Sequence, residues 1–143
     1  MSRCIFCDIL AGQAEGSFVY RDELCAAFMD IHQPNAGKVL VVPNHHAATL
    51  ADLPPETAGH MFQVAQQIAA ALRRSQLPCD GVNLFLADGR AAGQEVFHVH
   101  LHVLPRVAGD GIALRFGPGH ARFPPRDELD RLAAQIRGHL SNG

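Results

Sequence analysis

The sequence predicts an α+β domain, an antiparallel sheet with helices packed on it. Three observations carry that prediction. Three strand-like segments precede the first long helical period, two more stand together across a short loop, and strands do not alternate regularly with helices as a doubly wound fold requires. At 143 residues the chain is about one domain long. We take 1–143 as a single domain, with a motif-bearing core over 1–106 and a C-terminal loop and helix over 107–143.

Segments near Phe18 to Tyr20 and Leu24 to Met29 read as a hairpin joined at Arg21-Asp22-Glu23, and Gly37 to Val42 is a near-continuous β-rich run. The first long helix is expected from about Pro55 to Arg74. Ala58, Met61, Phe62, Ala65, Ile68, Ala69 and Leu72 recur there at helical spacing and form a core stripe, prolines stand at the start, and Arg73 and Arg74 suit the negative end of the dipole. Val82 to Leu86 reads as a strand, Ala87 to Gln94 as a glycine-containing loop, and Val96 to Leu104 as the last strand. After Arg106 the chain is rich in glycine and proline, a loop of a length usually reserved for function. A final helix from about Arg126 to Leu140 places Leu129, Leu132, Ala133, Ile136 and Leu140 on one face, with Asp127 and Glu128 in its first turn.

With 48% apolar residues, 18% charged and a net charge of −2, the chain lacks the basic excess that nonspecific nucleic-acid binding needs, so any nucleotide partner is expected to be small. No apolar run approaches the ~20 residues of a membrane span. Cys4, Cys7 and Asp8 stand where a signal peptide wants an apolar core, so we expect a cytoplasmic protein with neither a membrane nor a nucleic-acid partner.

The chemistry is written in Val96-Phe97-His98-Val99-His100-Leu101-His102-Val103-Leu104. In a strand His98, His100 and His102 share one face while Val99, Leu101 and Val103 pack behind them. A single histidine on a strand is usually a half-buried polar side chain, and His60, His120 and His139 read that way. A row of three is poised for nucleophilic attack, proton transfer or metal binding. Cys4-Ile5-Phe6-Cys7 supplies a second motif. In a chain without a disulfide framework a C-x-x-C pair is a redox centre or half of a zinc site, and its place ahead of any βαβ unit favours zinc. A zinc site needs two more ligands, for which the candidates are the Pro43-Asn44-His45-His46 turn and one member of the row. Cys25 and Cys79 read as small core residues.

These motifs resemble the histidine triad family of nucleotide hydrolases and transferases, in particular its Hint-like bacterial branch. The resemblance rests on the triad, on Cys4-Ile5-Phe6-Cys7-Asp8-Ile9, Phe28-Met29-Asp30-Ile31 and Val39-Leu40-Val41-Val42-Pro43, and on Ala92-Gly93-Gln94 before the triad, all collinear over residues 1 to about 106. It implies the histidine triad fold. It also implies that His100 attacks the α-phosphorus of a nucleoside phosphate to give a nucleotidyl-histidine, with His102 protonating the leaving group and then activating water. Amides of Gly93 and Gln94 would help hold phosphate oxygens, Asp30 would accept the ribose hydroxyls, and Ile31 and Phe6 would face a purine base. The resemblance maps a closed structural zinc site, one ion per chain, onto Cys4, Cys7, His46 and His98, with His45 the less favoured fourth ligand. Family members pair as two-fold dimers, which would use the Pro55–Arg74 helix and the Val82–Leu86 strand.

Three positions depart from the family. Lys38 stands where many relatives carry a fourth histidine, Ala87 where an Asn or Gln is common near the leaving group, and Glu95 where a Ser or Thr follows Gly-Gln. Lys38 could still meet phosphate as a point charge, and Glu95 lies next to the expected phosphate site. The expected function is hydrolysis of a substituted purine nucleoside 5′-phosphate, a phosphoramidase or phosphohydrolase. The alternative is a zinc-stabilised nucleotide-binding or interaction module with vestigial catalysis.

Overall fold

A computed structural model describes residues 3–113 and 115–140. They fall into two compact units, one running up to Gly111 and one from Ile112 onward. The first contains a short helix α1 (Ile5–Leu10), strands β1 (Phe18–Arg21), β2 (Cys25–Met29) and β3 (Val39–Pro43), helix α2 (Pro55–Arg74), and strands β4 (Gly81–Phe85) and β5 (Leu101–Arg106). The five strands form one antiparallel sheet in the order β1-β2-β3-β5-β4. The fold is α+β, as expected. The second unit carries α3 (Arg126–Arg137), shorter than expected at its C-terminal end, and Arg122 pairs with Glu128 ahead of and within it.

Both faces of the sheet are covered, which is why β2 and β3 read as continuous apolar runs rather than alternating ones. Cys25, Ala27, Val39, Val41, Leu101 and Val103 point to the face where α2 packs with Met61, Val64, Ala65, Ile68 and Leu72. Ala26, Phe28, Leu40 and Val42 point to the other face and meet Phe6 and Ile9 of α1. Phe62 is a correction to the expected α2 stripe: it is 57% exposed, and Val64 takes the buried place.

The strand expected over Val96 to Leu104 begins only at Leu101. β3 supplies ladder partners for Leu101 to Val103 alone. The residues before Leu101 are held by other bonds, with the Val99 amide donating to the Ala47 carbonyl and the His98 ring to the Pro43 carbonyl. His98, at the end of a bend over 96–98, and His100 therefore lie on the approach to the sheet, and only His102 is in the strand. The α1 helix was also absent from the sequence reading.

On the α2 face a polar cluster ties the β1–β2 turn to the helix. Asp22 accepts bonds from the amides of Leu24 and Cys25 at 2.8 and 2.9 Å, from the Tyr20 hydroxyl at 2.6 Å, and lies 2.5 Å from Nε2 of His60. Partial burial alone would raise its carboxyl, but the bonds from Tyr20, Cys25, His60 and Leu24 hold it well below the usual carboxylate range. A folded-state value below the unfolded value of ~3.9 means stability that is present above about pH 4 and lost as pH falls through the folded value. We expect Asp22→Asn to cost about 1–3 kcal/mol at pH 7. Urea titrations of both proteins should show that difference shrinking below pH 4, and a pH-independent difference would refute the assignment.

Candidate active site and metal centre

The C-x-x-C pair works through a local device. Cys4 is extended and caps α1, its sulfur accepting from the Cys7 amide at 3.4 Å, so one turn of helix brings both sulfurs to the same side. β3 ends at Pro43 and delivers His46 from the following turn. His98 is fully buried and donates from Nε2 to the Pro43 carbonyl at 2.9 Å, which leaves Nδ1 as its lone-pair nitrogen. That Nδ1 lies 3.3 Å from Cys4 Sγ, 3.5 Å from Cys7 Sγ and 3.3 Å from Nδ1 of His46, and Cys7 Sγ lies 3.5 Å from His46 Nδ1.

These spacings test the fit of a metal. Zinc bonds of ~2.3 Å to sulfur and ~2.05 Å to nitrogen imply, in a tetrahedron, about 3.3–3.4 Å between nitrogens and about 3.6 Å between nitrogen and sulfur. The one nitrogen–nitrogen and three nitrogen–sulfur distances lie close to those edges, and the four side chains form a group able to hold a metal ion. Without a cation, burial and the neighbouring Cys4 sulfur push the Cys7 thiol up to about 11, a cost that a divalent ion reverses. Both turn histidines are exposed; His46 belongs to this group and His45 stays outside it.

Beside this centre lies a cavity of about 670 Å³, lined among others by Phe6, Phe28, Asp30, Ile31, Lys38, Glu95, His100 and His102. His100 is 8% exposed. Its Nδ1 donates to the His98 carbonyl at 2.8 Å, which leaves Nε2 as the unprotonated nitrogen. Burial lowers the ring's pKa below the ordinary histidine value and keeps it neutral at physiological pH. Phe6 packs edge-on against it at 5.1 Å between centroids, and the His102 ring is 4.8 Å away.

His102 is flanked by Phe85, which stacks on it at 4.2 Å and 10°. Burial first, then the Lys38 ammonium and His100, push its pKa down to about 4. Lys38 and Asp30 form a largely buried ion pair at 2.7 Å, each side chain 10% exposed. The chain reaches that pairing through Gly37, whose φ of 108° suits glycine and where an added Cβ would come within 3.0 Å of Leu72 and Leu77. Gln33 stitches the loop ends together: its amide donates to the carbonyls of Asp30 and Lys38, and its Oε1 accepts the amides of Gly37 and Lys38.

Two expectations from the sequence need correction. The Gly93 and Gln94 amides are spent inside their own loop, on the carbonyls of Arg90 and Gly89, and neither residue lines the cavity. The Gln94 side chain is buried and braces that loop, donating to the carbonyls of Ala48 and Val96 and accepting the Gly89 amide. Ala87 likewise stands outside the cavity lining. Phe85 and Gln33 were missed. In the sequence Phe85 is only one residue of the expected Val82 to Leu86 strand, and no signal marks Gln33.

A family model of the HIT domain matches residues 11–109. The chain belongs to the HIT family. It is 41% identical over 129 residues to an uncharacterized HIT-like protein of Mycobacterium tuberculosis, covering 90% of this chain and 89% of that protein. It is 29% identical over 137 residues to an adenylylsulfatase of Arabidopsis thaliana, covering 96% of this chain and 69% of that one. Among solved structures, a HIT family protein of Bacillus anthracis superposes with a TM-score of 0.88 at 37% identity over 98% of this chain and 99% of its own. A zinc-bound histidine triad protein of Mycobacterium smegmatis gives 0.75 at 41% identity over 96% of this chain and 97% of its own. No helix among the described residues is long and apolar enough to cross a membrane.

Proposed function

We propose that this HIT protein hydrolyses substituted purine nucleoside 5′-phosphates through a nucleotidyl-histidine on His100, with phosphoramidates its preferred substrates. The observation that carries the reading is the His100 Nδ1 bond to the His98 carbonyl, which leaves Nε2 as a neutral nucleophile in the cavity, beside His102. Nε2 attacks the α-phosphorus and the bond to the leaving amine breaks, while His102 donates its Nε2 proton to that amine and takes one up at Nδ1 from solvent, so that the ring stays neutral. Water then attacks the phosphorus, gives its proton to His102, and releases His100 with the nucleotide. Proton transfer of this kind contributes roughly 10²–10⁴-fold. Asp30 receives the ribose hydroxyls, and Phe6 and Ile31 offer apolar surface to the base. A hydrolase relative named for adenylyl sulfate supports the reaction class. Incubation with an adenosine phosphoramidate should release AMP and free amine, and a protein that released neither would lack the function.

Glu95 lines the cavity and is exposed at its mouth. Its carboxylate would repel the polyanionic leaving group of a dinucleotide polyphosphate, and an amine escapes that penalty. We expect phosphoramidates to be cleaved with higher kcat/KM than diadenosine polyphosphates, and Glu95→Ser to narrow the gap by raising only the latter. An equal effect on both substrates would place Glu95 away from the leaving group.

A structural zinc, one per chain, would be held by Cys4, Cys7, His46 and His98 and would fix the N-terminal arm against the triad. We further infer a homodimer in a cytoplasmic setting. Phe62 of α2 and Leu77 are exposed apolar side chains, and β4 leaves one edge of the sheet unpaired. A two-fold axis would cover one such patch with its own copy. Sedimentation at micromolar concentration should give a dimer, and a monomer would contradict it.

A further inference from the structure

Lys38, at the position where many relatives carry histidine, sits between the two ends of the proposed chemistry. Its ammonium is committed to Asp30 at 2.7 Å, the carboxylate proposed to receive the ribose hydroxyls. Its residue lies on the same sheet face as His102: Leu40 is the cross-strand partner of His102, and Lys38 is two residues from Leu40 on that face. The ammonium is 5.6 Å from the centroid of Phe85, the ring that stacks on His102. Close by is a polar atom with an unmet need. Nδ1 of His102 is buried and has no hydrogen-bond partner among the described residues, in contrast to Nδ1 of His100 and Nε2 of His98, each fixed by a backbone carbonyl. A buried nitrogen of this kind costs free energy until something bonds it, and until then it leaves the ring's tautomer undetermined.

We propose that Lys38 couples ribose recognition to the leaving-group histidine: ribose hydroxyls take over Asp30, and the released ammonium donates to Nδ1 of His102, holding that ring with Nε2–H toward the leaving group. The inference rests on the nucleotide-hydrolase reading given above. Lys38 is a positioning residue in this scheme, since it acts through His102 and not on the reacting atoms. The flexible four-carbon stem of lysine allows the move. Asp30 is equipped for the exchange, because its other oxygen stays anchored by the His32 amide at 2.9 Å while Lys38 leaves. The device makes the ribose a requirement for turnover as well as for binding.

The test uses the full chain with ¹⁵N-labelled histidine and two probes, AMP and its 2′,3′-dideoxy analogue. AMP should shift the His102 ring nitrogens to the Nε2–H tautomer, and the dideoxy nucleotide should bind without that shift. In Lys38→Met neither should produce it. In kinetics, removing both hydroxyls from the phosphoramidate should lower kcat of the wild-type protein at least ~10-fold, whereas in Lys38→Met and in Asp30→Asn the two substrates should differ in kcat by no more than ~2-fold and in KM alone. Identical His102 signals with both nucleotides in the wild type, or a hydroxyl effect on kcat that persists in Lys38→Met, would overturn the proposal. The wild-type comparison stands even if a variant fails to fold. If AMP does not bind at all, the nucleotide reading itself falls and takes this inference with it. If the phosphoramidate is cleaved but hydroxyl removal changes only KM in the wild type, only this inference falls.

Discussion

His100→Ala should bind AMP with near-native affinity and turn over no phosphoramidate, a loss of roughly 10³–10⁶-fold in kcat. The side chain contributes the attacking nitrogen, and neither of the other two histidines of the row is set up to replace it. His102 has no bond fixing its tautomer, and the lone pair of His98 faces Cys4, Cys7 and His46. Its ring also fills a slot beside Phe6, so truncation leaves a small cavity and a modest stability loss that thermal unfolding will register separately from activity. His102→Ala should slow the reaction less, by roughly 10²–10⁴-fold, because proton transfer can pass in part to water. Steady-state kinetics with calorimetric AMP binding check both. Retention of more than a few per cent of activity in His100→Ala would remove it as the nucleophile.

The second large effect concerns the metal. Cys4→Ser should leave the purified protein with little zinc and lower its Tm by ~10 °C or more, while activity measured well below that Tm falls only a few-fold. The reasoning is linkage: a site formed from α1, the turn after β3 and the approach to β5 exists only in the folded chain, so binding free energy is folding free energy. A serine hydroxyl cannot replace the thiolate as a soft anionic ligand. Chelation of the wild-type protein should reproduce the Tm shift. Elemental analysis finding an equally stable, metal-free protein would refute the structural role, and a metal lost only on changing His100 and His102 would move the ion to the catalytic histidines.

Much of this site was legible in residue order because its parts are short-range patterns. The alternation of His98, His100 and His102 with Val99, Leu101 and Val103 does separate polar and apolar sides, even though strand pairing begins only at Leu101. The pattern reports side-chain alternation, and any extended chain satisfies it; whether a ladder forms depends on how far β3 extends, which is a tertiary matter. The α2 period located its helix from Pro55 to Arg74, but a period cannot say where the covered arc ends, and Phe62 falls just outside it. The α1 helix escaped because six residues are too few to be stable by propensity. It is held by burial of Phe6 and Ile9 and by the cysteine cap. The Asp30–Lys38 pair is invisible in sequence because the contact is made by an irregular loop whose ends Gln33 ties together. The Gly93-Gln94 loop shows the opposite failure. Its glycine-containing sequence resembles an anion cradle, yet its amides close on their own loop.

The proposed catalysis turns on one covalent bond, between Nε2 of His100 and an α-phosphorus. Rapid acid or denaturant quench of the protein during turnover of an adenosine phosphoramidate, followed by intact-mass measurement and peptide mapping, tests it most directly. The expected product is a chain carrying one adenylyl group on His100, absent in His100→Ala and longer-lived in His102→Ala, where release by water is slowed. Turnover with no adduct under conditions that preserve phosphohistidine-type bonds, or an adduct on any other residue, would contradict it.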